Sequence, residues 1–429
     1  MEQHFTSPFY QSEGICIDTR KIFKNCLYVS IKGENFDGNT FAEQALEQGA
    51  SHVIVDNAKY FQEGGQMTLV EDSIKYLQQL ANHHRNQFDI PFIGITGSNG
   101  KTTTKELIHT VLSKKYKVLA TEGNLNNHIG VPLTLLRLTE DHEIAIIEMG
   151  ANRLKDIEEL CEIAEPNYGI ITNVGKAHLQ GFGSFEGVLT TKKELYEAVL
   201  LKKGTIVVNG DDDILNNVLP EGVNVVKFGT KDQFVNGKLV GLTPFVVMEW
   251  SHGDYSSTPI TGQMIGGYNF TNYLAAITFG CIFDVQHAYI SEAIEEYTPT
   301  NNRSQVFKSE RNTLILDCYN ANPTSMKSAL DSFQMMSHAN KLFILGDMRE
   351  LGKESEVEHQ KIIELVEKHD LQGYTVGDEF GKVSSEHILE HFSRVEDALE
   401  YFKTNTLQGE VVLLKGSRGV QLEKLVEAL

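Results

Sequence analysis

The stretch Gly94-Ile-Thr-Gly97-Ser-Asn-Gly100-Lys101-Thr102-Thr103-Thr104 decides the reading of this 429-residue chain. It continues an apolar run, Phe92–Thr96, that reads as a strand buried on both faces. It opens a helix whose apolar stripe is Leu107, Ile108, Val111 and Leu112. Strand, glycine-rich turn and helix together form the setting of a phosphate-binding loop. There the glycines let backbone N–H groups converge on phosphate oxygens, and the helix N-terminus adds partial positive charge. Lys101 is then placed to reach the β- and γ-phosphates, and the Thr102 hydroxyl to ligate Mg2+. The strict pattern asks for glycine where this chain has Ile95, so a structural glycine turn is the alternative. The strand–helix setting favours a bound nucleoside triphosphate.

Outward from that loop, strands and helices alternate, which predicts an α/β chain with mainly parallel sheets and crossover helices. Further strands are expected at Ile144–Glu148, Gly169–Asn173 and Thr205–Val208. From Val223 to Trp250 the pattern changes to short strands and turns, read as a small antiparallel patch. Upstream, Cys26–Ile31 and His52–Val55 read as strands around a short helix at Phe41–Gln48, a small α/β unit. The polar stretch Asn82-His83-His84-Arg85-Asn86-Gln87 reads as a solvated linker, with its two histidines idle. Downstream, strands at Thr313–Asp317, Leu342–Leu345 and Val411–Leu414 alternate with helices at Ser325–Met335, Val357–His369 and Val395–Phe402. That predicts a second doubly wound, Rossmann-like unit. Three domains are expected, at 1–84, 85–305 and 306–429, each large enough to bury its own core.

Composition narrows the function. A net charge of −20 repels a phosphate backbone, so nucleic acid is a poor partner. Hydrophobic residues at 41% and charged residues at 22% exclude a disordered or fibrous chain. The five cysteines are odd in number, widely spaced and without a CxxC pair. That fits reduced thiols better than a disulfide frame or a zinc site. The start, Met-Glu-Gln-His-Phe, lacks a signal pattern, and no apolar run approaches 18 residues. A soluble cytoplasmic protein without membrane insertion is expected.

Polar residues at strand ends are the remaining candidates, because open α/β sheets bind ligands there. Glu148 is suited to Mg2+ or to a catalytic water, and Asn173 and His178 follow the next strand. Taken with their flanking sequences these residues resemble the Mur ligases, ATP-dependent amide-forming enzymes of peptidoglycan synthesis related to folylpolyglutamate synthase. The matching blocks are Thr96-Gly-Ser-Asn-Gly-Lys-Thr102, Asn124-Leu-Asn126-Asn127-His-Ile-Gly130-Val-Pro132, Glu148, His178 and Gly267-Tyr-Asn269-Phe-Thr-Asn272. They continue through Arg303, Asp317-Cys-Tyr-Asn320-Ala-Asn322-Pro323, Leu345-Gly-Asp347-Met-Arg-Glu350-Leu-Gly352 and Lys415-Gly-Ser-Arg418. The second, seventh and eighth of these resemble the branch of the family that adds D-alanyl-D-alanine. The Asp-Asn-Pro-Arg motif of the branch that adds diaminopimelate or lysine is absent.

The resemblance implies that ATP phosphorylates the terminal carboxylate of a UDP-N-acetylmuramoyl-tripeptide, and that the amine of D-alanyl-D-alanine then attacks. It implies that Gly97, Ser98, Asn99, Gly100, Lys101, Thr102, Thr103, Asn269, Asn272, Arg303 and Asp317 hold ATP. One Mg2+ would lie between Thr102 and Glu148. A second would be held by His178 and by Lys192 as a carbamate; both residues and Lys101 and Glu148 are the implied catalytic set. On its own the pair Lys192-Lys193 reads as a solvated helix face, but Lys192 with Leu195 and Tyr196 fits the family's Lys-x-x-Leu-Tyr frame. Asp18, Thr19, Arg20, Lys32, Gly33, Asn35 and Asp37 in the first domain resemble loops that hold the UDP-muramoyl nucleotide. Asn126, Asn127, Asn320, Asn322, Asp347, Lys415 and Arg418 are the other implied substrate contacts, with the dipeptide in the third domain. The chain is expected to act as a monomer. Another Mur-type or folylpolyglutamate-type ligase is the nearest alternative, and a non-enzymatic nucleotide switch the more distant one.

Overall fold

The computed structural model describes every residue except Met1, Glu34, Ala177, His178, Thr243, Ser337 and Ala339. Three sheets carry the chain. The first is four-stranded and parallel, in the order Ile15–Cys16, Leu27–Val29, His52–Val55 and Met67–Leu69. A small hairpin, Lys32–Gly33 with Phe36–Asp37, projects from it.

The second sheet has ten strands. Its parallel part runs Val118–Ala120, Ile144–Glu148, Phe92–Thr96, Tyr168–Ile171, Thr205–Asn209, Asn224–Gly229 and Val235–Gly241. Phe92–Thr96 is followed in sequence by strands on both of its sides. Its carboxyl end is therefore a topological switch point, where an open α/β sheet leaves a crevice. All five residues of that strand are buried, as the apolar run predicts. The antiparallel patch expected from Val223 to Trp250 is found in part. Asn224–Gly229 and Val235–Gly241 extend the parallel sheet, while Val247–His252 pairs antiparallel with Val235–Gly241, and Tyr255–Ser256 and Ile260–Thr261 pair antiparallel with Val247–His252 in turn. Short strands without an intervening helix suggested hairpins, but the turn after Gly229 continues the sheet in the same direction.

The third sheet follows the order Gln305–Lys308, Thr313–Asp317, Val411–Lys415, Lys341–Gly346, Gln372–Val376 and Ile388–Phe392, parallel except for its first strand. Asp317 and Leu345 are both in register with Lys415, so the loops after three strands open on one edge.

Two expectations about the first unit fail. The polar stretch at 82–87 is no solvated linker, because helix Ser73–Arg85 runs through most of it and packs on the second sheet's helices. Asn82 donates to the carbonyls of Glu162 and Ile163, and Arg85 to those of Ala164 and Glu165, its guanidinium 3.9 Å from the Phe92 ring centroid. His84 is buried, hydrogen-bonded to Tyr10 Oη and the Leu138 carbonyl. Nor does the first unit bury all of its core by itself: one face of its sheet does so, with Cys26, Tyr28, Ala45, Val53 and Val55 in a cluster of its own residues, but the other face does not. Leu27, Val29, Ile54, Tyr76, Leu77 and Leu80 belong to a cluster continuous with Phe92, Ala145, Leu160 and Leu195 of the second unit. A sheet only four short strands wide has too little area to close both faces by itself. Among the described residues, no helix is long and apolar enough to cross a membrane.

Candidate active site

A cleft of about 780 Å3 opens at the switch point of the second sheet and is closed on its far side by the strand ends of the third. Its floor is the glycine-rich loop. Gly97 has φ +147° and Gly100 φ +80°, conformations that favour glycine, and a Cβ on Gly97 would collide with Thr172 Oγ1. The loop is braced from the neighbouring strand end. Thr172 Oγ1 and Asn173 Nδ2 donate to the Asn99 carbonyl at 2.5 and 2.9 Å, and Asn173 Oδ1 accepts from Asn99 N at 3.0 Å. Helix Lys101–Leu112 starts directly after Gly100, so its unpaired N–H groups face the cleft.

Lys101 Nζ donates to the Gly97 carbonyl at 2.7 Å. Burial lowers its pKa, opposed by the Glu148 charge and reinforced by Arg303. Beside it Thr102 is buried. Glu148 is buried at the end of Ile144–Glu148; its Oε1 accepts from Asn126 Nδ2 at 2.8 Å, while Oε2 has no hydrogen-bond partner. A buried carboxylate oxygen left unpaired costs about 1–3 kcal/mol or more unless a ligand satisfies it. An oxygen donor beside a threonine hydroxyl is a donor set that suits Mg2+. These residues fit that ion.

A polar chain leads from the loop to the third sheet. Thr104 Oγ1 donates to Asn272 Oδ1 at 3.1 Å, Asn272 Nδ2 to Asn269 Oδ1 at 2.8 Å, and Asn269 Nδ2 to Ser304 Oγ at 3.2 Å. Tyr268 Oη and Ser304 Oγ are 2.7 Å apart, and Ser304 N donates to Asp317 Oδ1 at 3.2 Å. Asp317 in turn pairs with the buried Lys415, Nζ to Oδ2 2.7 Å. The guanidinium of Arg303 lies 3.9 Å from the Tyr319 ring centroid and that of Arg418 5.3 Å from it, and the buried Arg303 Nε is unpartnered.

Of the residues singled out in the sequence, Ser98, Asn99, Gly100, Lys101, Thr102, Thr103, Asn126, Asn127, Glu148, Asn269, Asn272, Arg303, Asp317, Asn320 and Lys415 line this one cleft. Lys192 lies close behind it. It is buried on helix Phe185–Leu201, its Nζ 5.8 Å from the Phe182 ring centroid, while Lys193 on the same helix pairs with Glu197 in solvent. The solvated-face reading is thus corrected for Lys192 alone. Burial, and then the charge of Lys101, hold its pKa well below the usual lysine value. His178 lies outside the described residues.

Several candidates, in the cleft or outside it, use their side chains on neighbouring protein groups. Asn127 Oδ1 accepts from the N–H groups of Ile129 and Gly130, at the start of helix Gly130–Leu135. Asn322 caps helix Pro323–Gln334 with a reciprocal box to Ser325, and also bonds Asn99 across the domains, Nδ2 to Oδ1 2.7 Å. Both oxygens of Asp347 accept backbone N–H groups, from Glu379 and Phe380. Asp18, Thr19, Arg20, Lys32, Gly33, Asn35 and Asp37 do not reach the cleft. Asp18 pairs with Arg20, which holds its carboxyl down at about 2, and Asp37 accepts from Asn39. Sequence reading missed Tyr268, Ser304 and Tyr319 as cleft residues. Tyr268 and Tyr319 stand inside the quoted blocks, where their rings pass for core residues.

Three family models match the chain in order. They are a Mur ligase family catalytic domain over residues 11–85, a Mur ligase middle domain over 95–280, and a Mur ligase glutamate ligase domain over 302–418. The chain is 34% identical to the UDP-N-acetylmuramoyl-tripeptide–D-alanyl-D-alanine ligase of Bacillus subtilis, covering 97% of this chain and 93% of that one. It is 33% identical to the ligase of the same name from Treponema pallidum, over 96% and 93%. Among solved structures, MurF from Acinetobacter baumannii superposes with a TM-score of 0.88 at 28% identity, covering 99% of this chain and 97% of that one. MurF ligase from Thermotoga maritima in complex with ADP gives 0.88 at 27%, covering 97% of each chain.

Proposed function

The chain belongs to the Mur ligase family, and from that premise and the geometry of the cleft we propose that it joins D-alanyl-D-alanine to UDP-N-acetylmuramoyl-tripeptide at the expense of ATP. The reaction is cytoplasmic and serves peptidoglycan precursor synthesis, with ADP and phosphate released. The observation that carries this reading is one cleft in which a phosphate-binding loop, a buried carboxylate with one unpartnered oxygen and the strand ends of the third domain converge.

In the first half-reaction an oxygen of the tripeptide's terminal carboxylate forms a bond to the γ-phosphorus, and the bond from that phosphorus to the β,γ-bridging oxygen breaks. This gives an acyl phosphate and ADP. Lys101 leaves the Gly97 carbonyl for the phosphates, and the loop N–H groups hold them in line. Asn269, Asn272 and Asp317 hold the rest of the nucleotide, with Arg303 against the Tyr319 ring. In the second half-reaction the dipeptide amine attacks the acyl carbon, loses a proton, and phosphate leaves. Residues 306–429 carry the dipeptide, with Arg418 and Lys415 as its cations, and residues 1–84 carry the UDP-muramoyl end.

Mg2+, when bound, neutralises phosphate charge. Thr102 and Glu148 would hold one ion, and His178 with a carbamate on Lys192 a second. The packing of Lys192 supports the modification. A buried amine whose pKa is lowered gives up its proton more readily, and once neutral it can add to CO2 with loss of one further proton; the anion then attracts Lys101 instead of repelling it.

The purified protein with Mg-ATP should release phosphate only when both UDP-N-acetylmuramoyl-tripeptide and D-alanyl-D-alanine are present, with one amide formed per phosphate. Equal release without the dipeptide would overturn the ligase reading in favour of a nucleotide switch.

A further inference from the structure

Among the described residues, one group of three side chains has donor atoms gathered closely enough to hold a metal ion, and it lies away from the cleft. His252 ends strand Val247–His252, Cys281 is the penultimate residue of helix Tyr268–Ile282, and His287 opens helix His287–Glu296. Their ligand atoms all lie within 4.8 Å of one another, with His252 Nδ1 and His287 Nε2 at 3.2 Å. We propose that His252, Cys281 and His287 form a structural site for a borderline-soft divalent transition metal, Zn2+ in the first place, with a water in the fourth position.

The geometry is near to what such an ion needs. Tetrahedral zinc, with bonds of about 2.0–2.1 Å to nitrogen and about 2.3 Å to sulfur, sets neighbouring donors about 3.3–3.6 Å apart. The two imidazole nitrogens already stand at that spacing. Closing the widest separation takes a movement of about 1 Å, within reach of a cysteine side-chain rotation. The rings are also held in place. His287 stacks on Tyr255, with centroids 4.2 Å apart and planes at 28°, and meets Trp250 edge-on at 5.5 Å. His252 packs on Phe234 at 4.5 Å. Fixed rings mean that little order has to be gained on binding.

The donor types select the ion. Burial and the adjacent His252 keep His287 below the usual histidine pKa, in the neutral form that ligates. Burial, with Asp284 nearby, pushes the Cys281 thiol up to about 12, so its proton opposes binding and the ion has to displace it. Binding would replace the S–H bond by a sulfur–metal bond and release that proton to solvent. A nitrogen–sulfur donor set prefers zinc, or cobalt as its probe, to Mg2+, which keeps oxygen ligands. The site would pin the far end of the helix that carries Asn269 and Asn272. Cys281 lies twelve residues beyond Asn269, about 18 Å along the axis.

The protein has a single tryptophan, Trp250, which abuts the site and reports on it directly. The full-length protein, stripped with a chelator and then held in excess Mg2+, is titrated with Zn2+ and separately with Co2+. One equivalent should bind, Trp250 emission should change in step, and Co2+ should give a thiolate-to-metal charge-transfer band. Cys281→Ser should abolish that band and weaken Zn2+ at least about 100-fold, since even outer partners of ligands are worth about 10–100-fold. His287→Gln should weaken Zn2+ comparably. Both variants should melt like the metal-free parent. No stoichiometric Zn2+, a Co2+ spectrum of the parent without a thiolate band, or unchanged binding in both variants would overturn the site.

Discussion

The nucleotide cleft and the loops of the first domain treat their polar groups in opposite ways. In the cleft, Glu148 Oε2 and Arg303 Nε are buried without partners, Lys101 is half-buried, and just behind it the buried amine of Lys192 has its pKa lowered by burial and by the Lys101 charge. In the first domain, Asp18 and Arg20 satisfy each other in solvent, and Asp37 is tied to Asn39. The cleft therefore holds polar groups whose desolvation is already complete, and ligand binding there relieves strain that folding has imposed. The first-domain loops must break local pairs to engage a ligand, and gain less from each contact. Chemistry is thus expected to be sensitive to single changes in the cleft, and substrate affinity only moderately so in the loops.

The sharpest contrast lies on the cleft side. Lys101→Ala should lower kcat by about 100- to 1,000-fold or more, the scale of losing one preorganised charge contact in a phosphoryl-transfer site. Lys192→Ala should fall in the same range and bicarbonate should not restore it, whereas Lys193→Ala, its solvent-exposed neighbour, should keep normal rates. Steady-state kinetics on the three variants checks this. Equal rates for Lys192→Ala and Lys193→Ala would remove the carbamate from the account.

A smaller effect is expected from Lys415→Met, which leaves Asp317 without its cation. A fully buried pair broken in this way costs about 3–5 kcal/mol, and the partial exposure of Asp317 to the cleft reduces that to about 2–3 kcal/mol. Denaturant melts read the loss. Smallest is Arg20→Ala. It should raise the KM for UDP-N-acetylmuramoyl-tripeptide a few-fold, about what one exposed charged contact contributes, with kcat and the melting temperature unchanged. If Arg20→Ala cut kcat as deeply as Lys101→Ala, the contrast between the two regions would collapse.

The same contrast explains what the sequence disclosed. The phosphate-binding loop was legible because its signal is local: one strand, one turn and one helix in eleven residues. The alternation of elements likewise placed the strands Thr313–Asp317 and Val411–Lys415 within a residue of their observed ends. Burial across domains was not legible. His84 and Arg85 look like linker residues until the helices of the second sheet are set against them. Asn127, Asn322 and Asp347 stand out in their motifs, yet their side chains hold backbone N–H groups, a structural use that motif reading cannot separate from ligand binding. The cluster at His252, Cys281 and His287 was invisible for a related reason. Its members come from three elements: Cys281 and His287 stand six residues apart, but His252 lies 29 residues before the cysteine, and no motif joins the three.

The central claim, that one cleft builds an acyl phosphate and then an amide, is tested most directly by isotope transfer. The tripeptide's terminal carboxylate is labelled with oxygen-18, the full reaction is run, and the released phosphate is weighed. The account predicts one labelled oxygen in each phosphate, carried over from the carboxylate when the acyl phosphate is broken by the amine. Phosphate without label, with the amide still formed, would contradict it.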